Sequence, residues 1–340
     1  MKTWSCFCVA AGFLFFSQLD VVNLMKETDY CKLKNCPAEK KPPHIACKNK
    51  GNWSPQCGLN ATIISIPKKT KKFIINYHNT YRDLVAGGQF HRLPHAGRML
   101  KLSWSSDLAR LAELLVKRCD LHPTDRCIST ELFSEPGYHA VYNKFKKNED
   151  TFRIVRSQLN SWYDEYKHVS AVSLLDGLSS DKKEIGHFMT MMVGPSNRLG
   201  CAMARVEKGG WTHQWLACVY SCSPKKNSTL YEFSTKPGIL CTTGVDAKYQ
   251  HLCKRTEPVD NCKHSPKFNG TVPNNTASLI RAMMKKPVQP RTFWYWWKWL
   301  FGWTYTITYP TQTYETEAPT VDSDEYEYIC ECEEGTCEDE

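Results

Sequence analysis

The 340-residue sequence has no apolar run long enough to cross a bilayer, which requires about 20 apolar residues. It also has no Cys-x-x-Cys pair and no Gly-x-Ser-x-Gly motif. The first absence argues against a transmembrane protein, and the second weakens a zinc-site interpretation of the cysteines. The third removes the nucleophile elbow of a serine hydrolase, so that Ser129, Ser134 and Ser221 are candidate nucleophiles without a supporting motif.

The apolar stretch near the N-terminus has the length of a signal-peptide core. It runs from Trp4 to Ser17 and follows the basic Lys2. We expect a signal peptide over residues 1–20, with its boundary loosely placed between Ser17 and Asp29. The alternatives are a buried N-terminal strand and a retained signal anchor. A signal peptide predicts a secreted, extracellular protein.

Cysteine is abundant, and fifteen of the 17 cysteines follow the expected signal peptide. The secretory pathway is oxidising, so these thiols are expected to form disulfides. The same route exposes Asn-x-Ser/Thr sequons to glycosylation, which predicts a glycoprotein with its sugars on surface loops. The five sequons begin at Asn52, Asn60, Asn227, Asn269 and Asn274.

The formal net charge of +9 conceals a strong asymmetry. Residues 315–340 contain twelve acidic residues and no Lys or Arg; without those twelve charges, residues 1–314 carry +21. A basic body outside the cell favours acidic lipids, sulfated glycans or acidic proteins as partners rather than nucleic acid.

Helical patterns precede strand patterns along the chain. Three segments repeat apolar residues at helical spacing: 71–86, 105–119 and 152–166. Three short mixed runs separated by turn residues then predict strands: 187–193, 200–206 and 215–220. Helices followed by an antiparallel meander predict an α+β protein.

Composition divides the chain into further segments. We expect a bridged N-terminal segment over 29–65, a main domain over 66–222 and a small cysteine-containing extension over 223–262. A linker over 263–292, an aromatic segment over 293–309 and an acidic tail over 310–340 follow, the tail being predicted to be disordered.

Two of these segments suggest partners. Residues 293–303 are rich in Trp, which predicts contact with a lipid or membrane surface; packing on the body or on another protein is the alternative. The tail holds three cysteines, Cys330, Cys332 and Cys337, so at least one is free, capped or bonded to another chain. We expect an interchain bridge and hence a disulfide-linked oligomer.

Several short motifs occur in a characteristic order. They are Asp29-Tyr30-Cys31, His44 to Gly51, His78-Asn79-x-x-Arg82, Trp162-Tyr163-x-Glu165, Gly186-His187-Phe188, Gly200-Cys201-Ala202 and Cys218-x-Tyr220-Ser221. In this order, together with the cysteines, they resemble the CAP superfamily, also known by its SCP domain. The closest resemblance is to insect antigen 5 and venom allergen-like cysteine-rich secretory proteins, and it covers residues 29 to about 262.

The resemblance implies an α-β-α sandwich stapled by disulfides. For residues 31–127 it implies the pairs Cys31–Cys47, Cys36–Cys127 and Cys57–Cys119. It further implies Cys201–Cys218, and it leaves Cys222, Cys241, Cys253 and Cys262, which we pair as Cys222–Cys262 and Cys241–Cys253. Spacing alone does not choose among the connectivities.

The resemblance also implies a cleft with two His and two Glu that can bind a divalent metal such as zinc. His187 and Glu165 match this set. His122 is the candidate for the second His, in a loop one residue longer than the family's, where Thr124 falls at the family's position. Tyr138 replaces the second acid, with His139 beside it.

No cofactor is expected; the alternative is a weakly bound divalent metal such as zinc on His187 and His122. Because the set is incomplete, we predict an antigen 5-like extracellular binding or signalling protein without catalytic activity, whose partner is an extracellular protein or receptor. A sterol- or lipid-binding protein is one alternative, and a metal-dependent hydrolase is the other.

Overall fold

The protein is described by a computed structural model over residues 28–36, 43–89, 93–121, 124, 126–176, 182–225 and 228–262. The described residues all belong to one compact unit of the chain. The expected signal peptide, the linker, the aromatic segment and the acidic tail with its three cysteines lie outside these residues. So do His122 and the sequons at Asn227, Asn269 and Asn274.

Seven strands and five α-helices make up the described structure, with 3-10 turns at Pro55–Cys57 and Asp164–His168. The helices are α1 (Lys68–Ala86), α2 (Ser106–Val116), α3 (Thr151–Tyr163), α4 (Ser173–Asp176) and α5 (Gly186–Met191). The strands are β1 (Thr62–Ile64), β2 (His95–Arg98), β3 (Ser103–Trp104), β4 (Gly137–Lys146), β5 (Arg198–Lys208), β6 (Trp211–Tyr220) and β7 (Glu232–Ser234). None of the helices in these ranges is long and apolar enough to cross a membrane.

The three long helices lie close to their predicted positions, and side-chain caps mark two of their starts. The Ser105 hydroxyl accepts the Leu108 N–H at α2, and the Asp150 carboxylate accepts two N–H groups at α3. Each helix buries one apolar stripe, as its spacing predicted. Helix α3 ends at Tyr163, so Glu165 belongs to the 3-10 turn that follows it rather than to the helix.

A twisted sheet with strand order β1-β5-β6-β4 separates two helical layers, and β3 joins β5 in parallel beside β1. On one face, Met203 and Leu216 pack with α1 and α3; on the other, Ala204 and Val219 pack with α2. Helix α2 approaches so closely that a Cβ on Gly200 would lie 2.1 Å from the Ala109 nitrogen. The arrangement is the expected α-β-α sandwich.

The prediction of a strand over 187–193 is wrong, because these residues form α5 and the turn after it. The Met189 N–H bonds to the Ile185 carbonyl at 2.9 Å, and the Met192 N–H bonds to that of Phe188 at 3.1 Å. A short run that is buried on all sides has no informative period, and its unbranched methionines favour a helix.

Strand β4 has no counterpart among the predicted elements, although it is ten residues long. It pairs antiparallel with β6 from Gly137 opposite Tyr220 to Lys146 opposite Trp211. It is the terminal strand of the sheet in the described residues, and its outer half bears exposed lysines.

Six disulfides join the twelve cysteines of residues 31–262, four in the pairs that the resemblance implies and two in the pairs that we assigned to the cysteines left over. They are Cys31–Cys47, Cys36–Cys127, Cys57–Cys119, Cys201–Cys218, Cys222–Cys262 and Cys241–Cys253. Among them, Cys201–Cys218 links β5 to β6. Asn52 and Asn60, the two described sequon positions, are exposed.

The cysteine-containing extension packs directly on the main domain. Strand β7 pairs with β2, and the Cys253 N–H donates to the Met99 carbonyl at 2.9 Å. Tyr249 and Leu252 belong to the same buried cluster as α1. Residues 228–262 therefore complete the core instead of forming an independent appendage.

Candidate functional site

His187 and Glu165 meet where α5 begins beside the 3-10 turn after α3. The His187 Nδ1 lies 2.5 Å from Glu165 Oε1, and the Phe188 N–H donates to Glu165 Oε2 at 2.9 Å. Each oxygen of the Glu165 carboxylate thus contacts a nitrogen of α5. Since Nδ1 donates to the carboxylate, His187 presents the lone pair of Nε2 on its other side.

Glu184 is the third ligand-bearing residue at this place. The Glu184 carboxylate forms a group with the Glu165 carboxylate and the His187 ring, and the ligand atoms of this group all lie within 4.8 Å of one another. One nitrogen and two carboxylates are donors that a divalent ion such as zinc accepts. Glu184 is exposed, however, and also accepts the Gly186 N–H at 2.9 Å. A metal bound here would share the carboxylate oxygens with these hydrogen bonds or compete with them.

A second cluster of ligand-bearing residues, Cys36, His44 and Cys127, does not suit a metal. The two cysteines are joined in a disulfide, so they offer no thiolate. His44 contacts the Ser129 carbonyl and the Ala46 N–H with its two ring nitrogens, at 2.8 and 2.9 Å. This cluster is part of the scaffold.

A chain of buried hydrogen bonds leads from α1 to β4 through Tyr220. His78 Nδ1 lies 2.7 Å from the Ile74 carbonyl, which can only accept, so that nitrogen carries the proton. His78 Nε2 therefore accepts from the Tyr220 hydroxyl at 2.8 Å. The Tyr220 oxygen in turn accepts from His139 Nε2, also at 2.8 Å.

This chain fixes the tautomer of His139, which sequence motifs did not place in the cleft. Its Nδ1 is left with a lone pair, and that atom is buried without a hydrogen-bond partner among the described residues. Its ring centroid lies 5.1 Å from that of His187 and 4.1 Å from that of Trp162. His139 is 7% exposed, so it faces His187 from inside the fold.

Burial keeps His78 and His139, the two histidines of this hydrogen-bonded chain, neutral. It lowers the pKa of His78 to about 4, with a further decrease from Arg82, although the Ile74 carbonyl opposes it. Burial and the neighbouring His187 and His78 lower the pKa of His139 well below its usual value. Burial also raises the pKa of Tyr220, so its hydroxyl remains protonated.

Tyr138 lies on the opposite face of β4 from His139, because strand side chains alternate. Its ring packs with the cluster beneath α2, and its hydroxyl accepts the Thr124 N–H. Thr124 occupies the position where the family has its second His. The structure thus joins the two substituted positions to each other and does not bring Tyr138 to His187 and Glu165 as part of one donor set.

Arg82 is fully buried and holds the backbone around the site. Its guanidinium donates to five carbonyls, which belong to Leu100, Met191, Val193, Gly194 and Ser196. These bonds tie α1 to the C-terminal end of α5 and the following turn. Arg82 was recognised as part of a motif, but its role in positioning α5 emerges only from the structure.

Two of the three candidate nucleophiles, Ser129 and Ser221, use their hydroxyls in hydrogen bonds within the scaffold. Ser129 donates to the Ser134 carbonyl at 2.6 Å, and the fully buried Ser221 hydroxyl accepts the Asn197 N–H at 3.0 Å. In the part of the chain that the structure describes, neither His139 nor His187 makes a hydrogen bond to a Ser, Thr or Cys side chain. A nucleophile with an adjacent base, which acyl transfer requires, is not assembled here.

Comparison with known protein sequences places this chain among cysteine-rich secretory proteins. The family model "CAP: Cysteine-rich secretory protein family" matches residues 75–220. Antigen 5 like allergen Cul n 1 of Culicoides nubeculosus is 30% identical over 192 residues, 54% of this chain and 86% of that protein. Venom allergen-1 of Aedes albopictus is 27% identical over 246 residues, 71% and 92% of the two chains.

A third relative is Tabinhibitin 3 of Tabanus yao, which is 25% identical over 253 residues, 74% of this chain and 95% of that protein. The residues that the family model matches include the His187–Glu165 pair and the strands β2 to β6. The chain therefore belongs to the CAP family of cysteine-rich secretory proteins, on its antigen 5 and venom allergen-like branch.

Proposed function

We propose that this chain is an extracellular binding protein that acts on a protein partner through its surface and does not catalyse a reaction. The observation that carries the proposal is the Tyr138–Thr124 contact. In this contact the residues at the positions of the family's second His and second acid meet each other, on the face of β4 opposite His139. Among the described residues the candidate metal ligands are Glu165, Glu184 and His187, with no nucleophile and adjacent base assembled beside them, and this does not favour hydrolysis.

The remaining half of the site supports the same proposal, because its groups are used to build the fold. Glu165 holds α5 by two hydrogen bonds, and His139 and His78 bridge two layers of the sandwich through Tyr220. Buried hydrogen bonds of this kind hold the layers of a scaffold together, although His139 Nδ1 has no partner in the described residues.

Six disulfides support function outside the cell, where an oxidising environment keeps such bridges intact. The names of the Tabanus yao relatives, the tabinhibitins, indicate inhibitors, and this supports an inhibitory or signalling role for a surface of the present fold. The partner proposed is an extracellular protein or a receptor ectodomain.

A divalent ion is not required by this function. Glu165, Glu184 and His187 offer a donor set for weak binding, but two of the three already stabilise the start of α5. We propose that such an ion, where bound, is held weakly and does not determine partner affinity.

The test is a binding titration against a panel of purified extracellular ectodomains from the protein's own source. The wild-type chain and its His187→Ala variant are compared on each ectodomain. The proposal expects saturable binding to at least one ectodomain, with the same affinity for both chains and no effect of a chelator. A panel without any binding, or binding that is lost in His187→Ala or after chelation, contradicts it.

A further inference from the structure

The sheet face that packs on α2 is only half covered. Along β6, the side chains of Ala217 and Val219 lie beneath α2, and Trp215 packs at the margin of that cluster. His213 and Trp211 continue the same face outward, since alternate residues of a strand share a face. Trp211 is 38% exposed at the end of the β5–β6 hairpin.

The neighbouring strands add basic side chains to this uncovered end. Lys144 and Lys146 on β4 lie opposite His213 and Trp211, and Lys208 on β5 lies opposite Trp211 from the other side. Nine positions in register form what is called here the aromatic–lysine face. They are Tyr142, Lys144, Lys146, Ala204, Val206, Lys208, Trp211, His213 and Trp215, and none is acidic.

Contacts within the face hold its rings in place. The Tyr142 hydroxyl lies 2.6 Å from His213 Nδ1, and the Tyr142 and Trp215 ring centroids are 5.0 Å apart. Lys144 Nζ lies 4.8 Å from the centre of the Trp211 ring. Gly209 and Gly210, both with positive φ, close the hairpin in a two-residue turn that sets this register. The face is therefore formed before any ligand arrives.

The opposite face of the same strands is covered by α3. Gln214 Nε2 donates to Gln158 at 2.8 Å, and Arg205 donates to the Thr151 hydroxyl at 2.8 Å. Phe145, between Lys144 and Lys146, is buried on that side. At this end of the sheet the aromatic rings and the lysines share the side that α2 leaves uncovered, while Glu207 on β5 is exposed on the other side.

We propose that the aromatic–lysine face binds a sulfated polysaccharide of the extracellular matrix or cell surface. None of the nine positions of the face is acidic, although Glu207 and Glu149 adjoin it, and Lys144, Lys146 and Lys147 form the kind of basic cluster that binds heparin-like chains. The rings between the lysines offer flat apolar surfaces with a polar edge, which suit the apolar faces of pyranose rings. The inference is independent of the proposed protein partner.

The geometry favours a linear chain over a bilayer. Tyr142, His213 and Trp215 are half-buried within a sheet face and do not protrude, so a planar membrane would reach little more than Trp211. Neighbouring strands are about 4.8 Å apart and alternate residues about 6.8 Å. Lys144, Lys146 and Lys208 thus frame an area about 10 Å wide, which a single sugar chain can cross.

The first experiment measures the salt concentration that elutes the full chain from immobilised heparin. Lys144→Ser/Lys146→Ser/Lys208→Ser is compared with Lys68→Ser/Lys69→Ser/Lys254→Ser, which removes three exposed lysines elsewhere. The face variant is expected to elute at lower salt and to bind a heparin oligosaccharide about tenfold more weakly, while the control follows wild type. Equal losses in both variants, or no loss in either, overturn the proposal.

A second set of measurements distinguishes a sulfated glycan from other anions. Trp211→Ser, which keeps the net charge of the face, is expected to lower the affinity for the heparin oligosaccharide several-fold. The affinity of Trp211→Phe is expected to lie between those of wild type and Trp211→Ser. Desulfated heparin, polyglutamate and phosphatidylserine vesicles are expected to bind more weakly than heparin. Binding of polyglutamate or vesicles as tight as that of heparin, or an unchanged affinity in Trp211→Ser, overturns the assignment. Circular dichroism verifies that each variant is folded.

Discussion

His187 Nδ1 and Glu165 Oε1 lie 2.5 Å apart, and the other oxygen of Glu165 accepts the Phe188 N–H. The carboxylate thus joins the turn after α3 to the start of α5 through a side-chain contact and a backbone contact. Residues that would be metal ligands in the family cleft therefore stabilise the fold of this chain.

Replacing Glu165 with Gln should lower the free energy of unfolding by about 1–3 kcal/mol, because a charge-assisted hydrogen bond is lost in a partly buried site. Urea unfolding measures the change. Glu149→Gln, which breaks an i,i+4 pair with the exposed Arg153 at the start of α3, should cost no more than about 0.5 kcal/mol. Equal effects of the two substitutions would contradict the role of Glu165.

Tyr220 is the central member of the buried chain, so Tyr220→Phe leaves His78 Nε2 without a donor and His139 Nε2 without an acceptor. We expect a loss of about 2–4 kcal/mol in unfolding free energy, because two buried polar groups become unsatisfied. The matched control is Tyr231→Phe, which breaks one bond to the Pro94 carbonyl and should cost about 1 kcal/mol. A smaller loss of stability in Tyr220→Phe than in Tyr231→Phe would argue against the hydrogen-bonded chain through Tyr220.

The low pKa values of His78 and His139 predict a pH-dependent stability. Both histidines bind fewer protons in the folded state than in the unfolded state. The free energy of unfolding should therefore fall as the pH drops below about 6.5, by up to about 1.4 kcal/mol per pH unit for each histidine. The contribution of His78 should level off below about pH 4.

Chemical unfolding between pH 7.5 and 4 measures this slope. His139→Gln should reduce the slope because it removes one of the two groups, even if the variant is less stable at every pH. A profile that is flat between pH 6.5 and 5 in the wild-type chain would show that these histidines are not buried in neutral form.

Glu257 joins the extension to the main domain. It accepts the N–H groups of Thr242 and Thr243 and pairs with Arg98 on β2 at 3.1 Å. Burial alone would raise the pKa of Glu257, but these hydrogen bonds outweigh it and lower the pKa to about 2. The carboxylate's contribution is thus complete above about pH 4.5 and disappears as the pH falls toward 2.

Glu257→Gln should therefore destabilise the protein at pH 7 by about 1.5–3 kcal/mol and remove part of the decline between pH 4.5 and 2. It should also speed hydrogen exchange at residues 241–257. Glu135→Gln, at an exposed pair with Lys225, is the control and should change neither property. Unaltered exchange in the Glu257 variant would mean that the extension is held by its disulfides and apolar contacts alone.

The capped helices were predictable because their apolar stripes exceed three turns and α2 begins at a serine. The α5 segment was not, because it has only six residues, and four consecutive buried ones have no period that distinguishes a helix from a strand. Strand β4 was missed because it lies at the edge of the sheet and alternates lysines with apolar residues near its outer end.

The missed strand explains why the sequence analysis did not assign Tyr138 and His139 to opposite faces of the sheet. Matching the family motif to Gly137-Tyr138-His139 drew attention to Tyr138, whereas strand alternation places the two residues on opposite faces. His139 then joins the layer that holds His187, and Tyr138 joins Thr124. The sequence feature that indicates β4 is the alternation of apolar and polar residues up to Lys146. It becomes recognisable as a strand only once its pairing with β6 is known.

The central claim is that the cleft does not catalyse a reaction, and the most direct test is turnover by the purified, protease-free chain. Peptide and ester substrates are incubated with the wild-type protein and with His187→Ala, with and without added zinc. The account predicts rates equal to the buffer background for both proteins under both conditions. Turnover by the wild-type chain that disappears in His187→Ala would contradict it.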